Sequence, residues 1–189
     1  MKKAFLTVCV VLLFLTGCNT HKKATSSKAE PSAQKIPFLL SIVPETSHGE
    51  HFGSTIEMAH EKPRDFYVVL TNVSPELLAV WEYWNSWGYQ AVSFELTTED
   101  GKKFLVSKRQ RGFTRNFPST FQIEPGEHQV YVIRLDEWWE THPALPKADE
   151  MPIKLKAIYE VTLTPEAAQY KVWRGRLESR AYNLKLRQW

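Results

Sequence analysis

Cysteine is almost absent. The chain has two in 189 residues, Cys9 and Cys18, and everything after Cys18 contains none. Disulfides, cysteine-ligated zinc and a thiol nucleophile are therefore excluded from residues 19–189, and any domain there holds itself together by its core alone. Long apolar runs are missing as well. Ala4 to Thr16 is 13 residues, whereas a helix needs ~20 to span a bilayer. There is no Gly-x-Ser-x-Gly elbow, no His-Glu-x-x-His pair and no phosphate-binding glycine loop, so neither a hydrolase motif nor a cofactor motif is present. No internal repeat occurs. Charge of one sign is also lacking: 24 basic residues stand against 21 acidic, a balance of +3. Residues 1–17 hold two of the lysines, and Lys22, Lys23, Lys28 and Lys35 face a lone Glu30 in the next stretch. Residues 36–189 thus carry 18 basic and 20 acidic groups, a balance of −2. A near-neutral domain gives no support to nucleic-acid binding.

What is present begins at the N-terminus. Met1-Lys2-Lys3 is a short cationic start, Ala4 to Thr16 is apolar, and small residues follow, the order of zones in a secretory signal peptide. Leu15-Thr16-Gly17-Cys18 resembles the lipobox of bacterial lipoproteins. The resemblance implies diacylglycerol on the Cys18 sulfur, cleavage after Gly17 (residues 1–17 leaving, Cys9 with them) and a further acyl chain on the new amine. Two or more chains suffice for stable anchoring, at ~0.8 kcal/mol per buried CH₂. Asn19 follows the lipidated position. In the Gram-negative lipoproteins that this junction resembles, Asp there tends to retain the protein at the inner membrane. Its absence points to the outer membrane, facing the periplasm; in a host without one, the outer face of the cell membrane is expected. Residues 18–35, rich in Lys, Ser, Thr and Ala and without periodicity, read as a disordered tether. Such a coil spans ~23 Å on average and reaches ~60 Å when extended.

Residues 36–189 are written in period two. Val92, Phe94 and Leu96 alternate with Ser93, Glu95 and Thr97. Ile153, Leu155, Ala157, Tyr159 and Val161 share one parity, opposite Lys154, Lys156 and Glu160. Trp173, Leu177 and Ala181 oppose Arg174, Arg176, Glu178 and Arg180. Such alternation buries one face of a sheet and solvates the other. Shorter runs fit at Phe38–Val43, Phe66–Thr71, Leu78–Tyr83, Phe104–Ser107, Thr120–Ile123 and Val130–Leu135. Asp100-Gly101 and Pro125-Gly126 predict tight turns between them. Ser74-Pro75 and Thr164-Pro165 predict single helical turns, each pairing an N-cap with a first-turn proline. The expectation is one all-β domain, an antiparallel β-sandwich of about eight strands with short helical turns.

Leu70-Thr71-Asn72-Val73-Ser74, then Phe94-Glu95-Leu96 leading into Asp100-Gly101-Lys102, then Pro125-Gly126-Glu127, resemble the immunoglobulin-like domains of uncharacterised bacterial lipoproteins over roughly residues 64–136. The resemblance implies an immunoglobulin-like sandwich and no activity.

Three segments offer chemistry. Trp81-Glu82-Tyr83-Trp84-Asn85-Ser86-Trp87-Gly88 is the densest. Its exposed aromatics, above all Trp84 and Trp87, would stack on sugar rings while Asn85 and Glu82 hydrogen-bond hydroxyls. The competing reading, which a disulfide-free domain favours, places Trp81 and Tyr83 in a core where each aromatic buries ~150–250 Å². Next is the run from Lys108 to Phe117, with Arg109, Arg111 and Arg115. Arginine forks suit phosphates and carboxylates, so this is the first choice for a partner surface, against a solvated loop. His48, Glu50 and His51, with His60 and Glu61 downstream, supply ligand types for zinc or copper. A glycine-containing loop fixes no geometry for them, and no metal site is expected. The carboxylates Glu82, Glu95, Asp136 and Glu137 form no recognisable glycosidase pair, since the required separation is spatial. Asp136-Glu137-Trp138-Trp139 reads as a capped turn over one end of the sandwich. The leading expectation is a non-catalytic binding or structural module, without cofactor, held by lipid at the envelope and meeting an envelope protein or glycan. The alternative is a carbohydrate-binding or carbohydrate-active protein using Trp81–Trp87.

Overall fold

The structure is a computed structural model that describes residues 36–44, 55–59 and 63–188. Cys18 and the histidine cluster His48, Glu50, His51, His60 and Glu61 lie outside the described residues. In chain order the elements are β1 (Phe38–Val43), β2 (Thr55–Met58), β3 (Phe66–Asn72), β4 (Leu78–Trp81), α1 (Ser86–Tyr89), β5 (Val92–Thr98), β6 (Lys103–Lys108), β7 (Thr120–Ile123), β8 (His128–Ile133), β9 (Trp139–His142), β10 (Glu150–Val161), α2 (Pro165–Gln169), β11 (Gly175–Glu178) and β12 (Tyr182–Gln188). The fold is all-β and sandwich-like. Among the described residues no helix is long and apolar enough to cross a membrane.

One sheet has the order β1-β3-β8 and a larger one β2-β12-β10-β5-β6-β9, with β11 also on β10; β4 and β7 form a separate pair. The pairings are antiparallel except β2 with β12. The alternation explains which faces meet. Phe38, Leu40, Ile42, Phe66, Val68 and Leu70 of the smaller sheet are buried in one cluster with Val92, Phe94, Leu96, Leu155, Ala157 and Tyr159 of the larger. Phe66 packs on Phe94 with ring centroids 5.5 Å apart, and Tyr131 on Tyr159 at 6.0 Å. The outward face of the larger sheet carries ion pairs such as Glu95–Lys103, Glu160–Arg176 and Glu178–Lys156. The outward face of the smaller one is apolar: Val43, Tyr67 and Val132 stand in register across it.

Local chemistry fixes the joints. Gly101 and Gly126 adopt φ of 81° and 82°, the left-handed region their turns require. α2 starts as expected, Thr164 accepting the Ala167 N–H at 3.1 Å with Pro165 behind it. Ser74-Pro75 starts no helical turn. Buried Asn72 instead accepts the Ser74 N–H at 2.9 Å and donates to the Ile123 carbonyl at 2.9 Å, so the chain bends there into β4. The stretch Trp173–Ala181 is not one strand. β11 ends at Glu178, and β12 takes over the same edge of β10 further along. Ser179 fills the break, its N–H donating to the Ala157 carbonyl and its Oγ accepting the Ala157 N–H, both at 2.9 Å. Three strands lie beyond those that alternation marked, namely β2, β9 and β12.

Candidate functional site

Two segments far apart in sequence are joined beside α1. Asn85 is fully buried and caps α1, accepting the Gly88 N–H at 2.9 Å. Its amide nitrogen donates to the Ser119 carbonyl at 3.0 Å. Asn116 accepts the Ser86 N–H at 3.0 Å and donates to the Ser86 hydroxyl at 2.8 Å. At the other end of the arginine segment, the Arg109 N–H donates to the Trp138 carbonyl at 2.8 Å. Trp138 sits on the turn that Asp136 caps, its N–H donating to the Asp136 carboxylate at 3.1 Å. These ties bring the arginine loop against both the Trp84 segment and the Asp136–Trp139 turn.

The result is an open groove of about 690 Å³ bordered by Trp84, Arg111, Phe113, Arg115 and Trp138. Trp84 packs edge-on against Phe117, with centroids 5.0 Å apart, and its indole N–H donates to the Glu82 carboxylate. Of the residues singled out in the sequence, Trp84, Arg111 and Arg115 meet here. Arg109 is exposed but does not border the groove. Trp87 turns away and packs on buried Trp81 at 5.7 Å. Asn85 is corrected from a ligand residue to a structural one, because its side chain is buried and already bonded at both ends. The Trp81–Trp87 run therefore makes no continuous aromatic platform, since Trp81 and Asn85 lie inside.

Behind the groove lies a smaller cavity of about 170 Å³. Its wall includes Tyr89, Val92, Lys108, Val130, Tyr131 and Ile133. Tyr89 links the two spaces. The Arg111 guanidinium carbon is 4.4 Å from its ring centroid and the Lys108 ammonium 4.5 Å. Lys108 also lies 5.6 Å from the Trp139 ring. Among the described residues no carboxylate forms an ion pair with Lys108, and Asp136 acts on it only from further off. Burial, reinforced by repulsion from Arg111 and opposed by Asp136, holds its amine down to about 8. Burial also raises Tyr89 and Tyr131 above the usual phenol value. Among the described residues the buried Tyr89 hydroxyl has no hydrogen-bond partner, and the buried hydroxyls of Tyr131 and Tyr159 reach only toward one another without a well-formed bond.

Tyr89 and Trp138 escaped the sequence reading as site residues, and Lys108 stood in it only as the first residue of the arginine run. One signal was there for Lys108: it continues the inward parity of buried Phe104 and Val106 along β6. Glu95 pairs with Lys103 on the outer face of the larger sheet, away from the groove. Among the described residues no cluster of His, Cys, Asp and Glu is arranged to hold a metal ion. No family model, curated protein or solved structure matches this chain.

Proposed function

We propose that this chain is a lipid-anchored lipoprotein of the bacterial envelope whose residues 36–189 form a non-catalytic binding module of immunoglobulin-like type for an acidic glycan. The anchor rests on the lipobox-like Leu15-Thr16-Gly17-Cys18 after a short apolar core. Lipid on Cys18 holds the module at the outer membrane, facing the periplasm, in a Gram-negative host, or at the outer face of the cell membrane otherwise. The ligand class rests on one observation: two arginines and two indoles border a single groove. Arg111 and Arg115 supply forks for carboxylates, and Trp84 and Trp138 supply ring faces for sugar stacking. Isothermal titration of the full-length protein in detergent, with trigalacturonate and with neutral cellotriose, tests this. The acidic trisaccharide is expected to bind at least about ten-fold more tightly, ~1.4 kcal/mol. Equal affinities, or no binding of either sugar, contradict it.

A further inference from the structure

The cavity behind Tyr89 is a site in its own right. Its wall is mostly apolar, with Val92 and Ile133 buried in it, yet it includes one ammonium and three phenols, those of Tyr83, Tyr89 and Tyr131. A purely structural role leaves that combination unexplained. Lys108 is half-buried beside a second cation with no carboxylate among the described residues paired to it, and burying charge without a partner is unfavourable. The Tyr89 hydroxyl is buried and, among the described residues, unpartnered, and the buried Tyr131 hydroxyl reaches only toward that of Tyr159 without a well-formed bond, whereas buried polar groups are ordinarily hydrogen-bonded. One occupant satisfies all three groups, namely an anion small enough to fit and apolar enough to lie against Val92 and Ile133. A phosphate meets the charge but wastes the apolar wall. A neutral hydrocarbon fits the wall but leaves the ammonium bare.

We propose that this cavity binds a small monocarboxylate, its carboxylate meeting the Lys108 ammonium and the buried phenol hydroxyls and its apolar body resting on Val92 and Ile133. The volume of about 170 Å³ is close to the ~150 Å³ of an engineered apolar cavity that takes up benzene, so the body is about one ring in size. This inference is independent of what the groove binds.

The test is ¹⁹F NMR titration of the full-length protein in detergent with 4-fluorobenzoate, and with 4-fluorobenzyl alcohol as its neutral counterpart. At pH 7 the anion is expected to bind at least about ten-fold more tightly than the alcohol. Lys108→Gln is expected to erase that preference while keeping the near-ultraviolet circular dichroism of the parent. A second arm varies the pH. Lys108 faces Arg111, Asp136 and the rings of Tyr89 and Trp139. Tyr83 and Tyr131 line the same cavity; arginine does not titrate below pH 12 and Tyr89 and Tyr131 are raised by burial, so a change between pH 7 and 9.5 that Lys108→Gln abolishes belongs to the lysine. Over that range 4-fluorobenzoate stays ionised, and its affinity is expected to fall about ten-fold as the ammonium is lost. Binding of anion and alcohol alike, no binding of either, or an affinity independent of pH overturns the proposal. So does a folded Lys108→Gln protein that still prefers the anion. Trp84→Ala and Arg115→Gln separate this site from the groove. They are expected to leave 4-fluorobenzoate binding unchanged, and its loss in those variants would move the anion to the groove and sink the cavity site.

Discussion

Lys108 and Arg111 share one aromatic ring, their cationic centres 4.5 and 4.4 Å from the centroid of Tyr89. Each gains from the ring's negative face, but they repel one another, and the lysine is the more buried of the two. Its amine, at 10.5 in the unfolded chain, falls to about 8 on folding. Below pH 8 both states are protonated, and the cost of burying the charge is present in full. Between pH 8 and 10.5 the unfolded chain binds the extra proton, so this group's contribution to stability rises with pH. Discounted for partial exposure, the effect is about 1–3 kcal/mol. Lys108→Met is therefore expected to be more stable than the parent at pH 7, and the gap is expected to close by pH 10. Denaturant unfolding of both proteins across that range checks this, and a gap that widens with pH contradicts it.

Tyr159 lies fully inside the sandwich, its ring against Tyr131 and Trp173 and its hydroxyl reaching only toward that of Tyr131 without a well-formed hydrogen bond. Removing a buried hydroxyl that makes no well-formed bond relieves desolvation more than it breaks an interaction. Tyr159→Phe is expected to leave stability unchanged or raise it by up to ~1 kcal/mol. A loss above ~1.5 kcal/mol in urea unfolding would mean that the hydroxyl is bonded in solution through a buried water.

Trp81 is 2% exposed and packs between Trp87 and Tyr170, both at 5.7 Å. Truncating it is expected to cost ~3–5 kcal/mol. Arg115 borders an open groove, and Arg115→Gln is expected to stay within ~0.5 kcal/mol of the parent. Thermal melts of the two variants side by side decide, and equal small shifts refute the core position of Trp81.

Anchoring has its own test. Cys18→Ser removes the sulfur that the lipobox-like run marks for diacylglycerol. Expressed in a bacterial host with labelled palmitate, the parent is expected to take up label and partition into detergent, and the variant to do neither. A variant that is still cut and still detergent-bound contradicts lipidation at this position.

The strands were legible where one face is wet and the other dry. β5 and β10 alternate cleanly because the outer face of their sheet is charged, and Trp81 reads as core for the same reason of parity. The two turn glycines were legible because only a few residues accept a positive φ. The site was half legible. Trp84, Arg111 and Arg115 stood out by type, but their meeting depends on Asn116 bonding to Ser86 and on Asn85 reaching Ser119, contacts that no local pattern encodes. Asn85 looked like a sugar contact because capping a four-residue helix leaves no periodicity to read. Ser74-Pro75 looked like a helix start, but buried Asn72 claims the Ser74 N–H and hydroxyl first. β2 buries two adjacent residues, Ile56 and Glu57, so no alternation shows there.

The groove itself is tested most directly by one affinity. Arg111→Gln and Arg115→Gln combined in the full-length protein remove both guanidinium forks from the groove while leaving Trp84, Trp138 and the buried core in place. Titrated with trigalacturonate at fixed ionic strength, the double variant is expected to bind at least about ten-fold more weakly than the parent. Its melting temperature is expected to stay within a few degrees. Undiminished affinity in a folded double variant would contradict the assignment of this groove as the ligand surface.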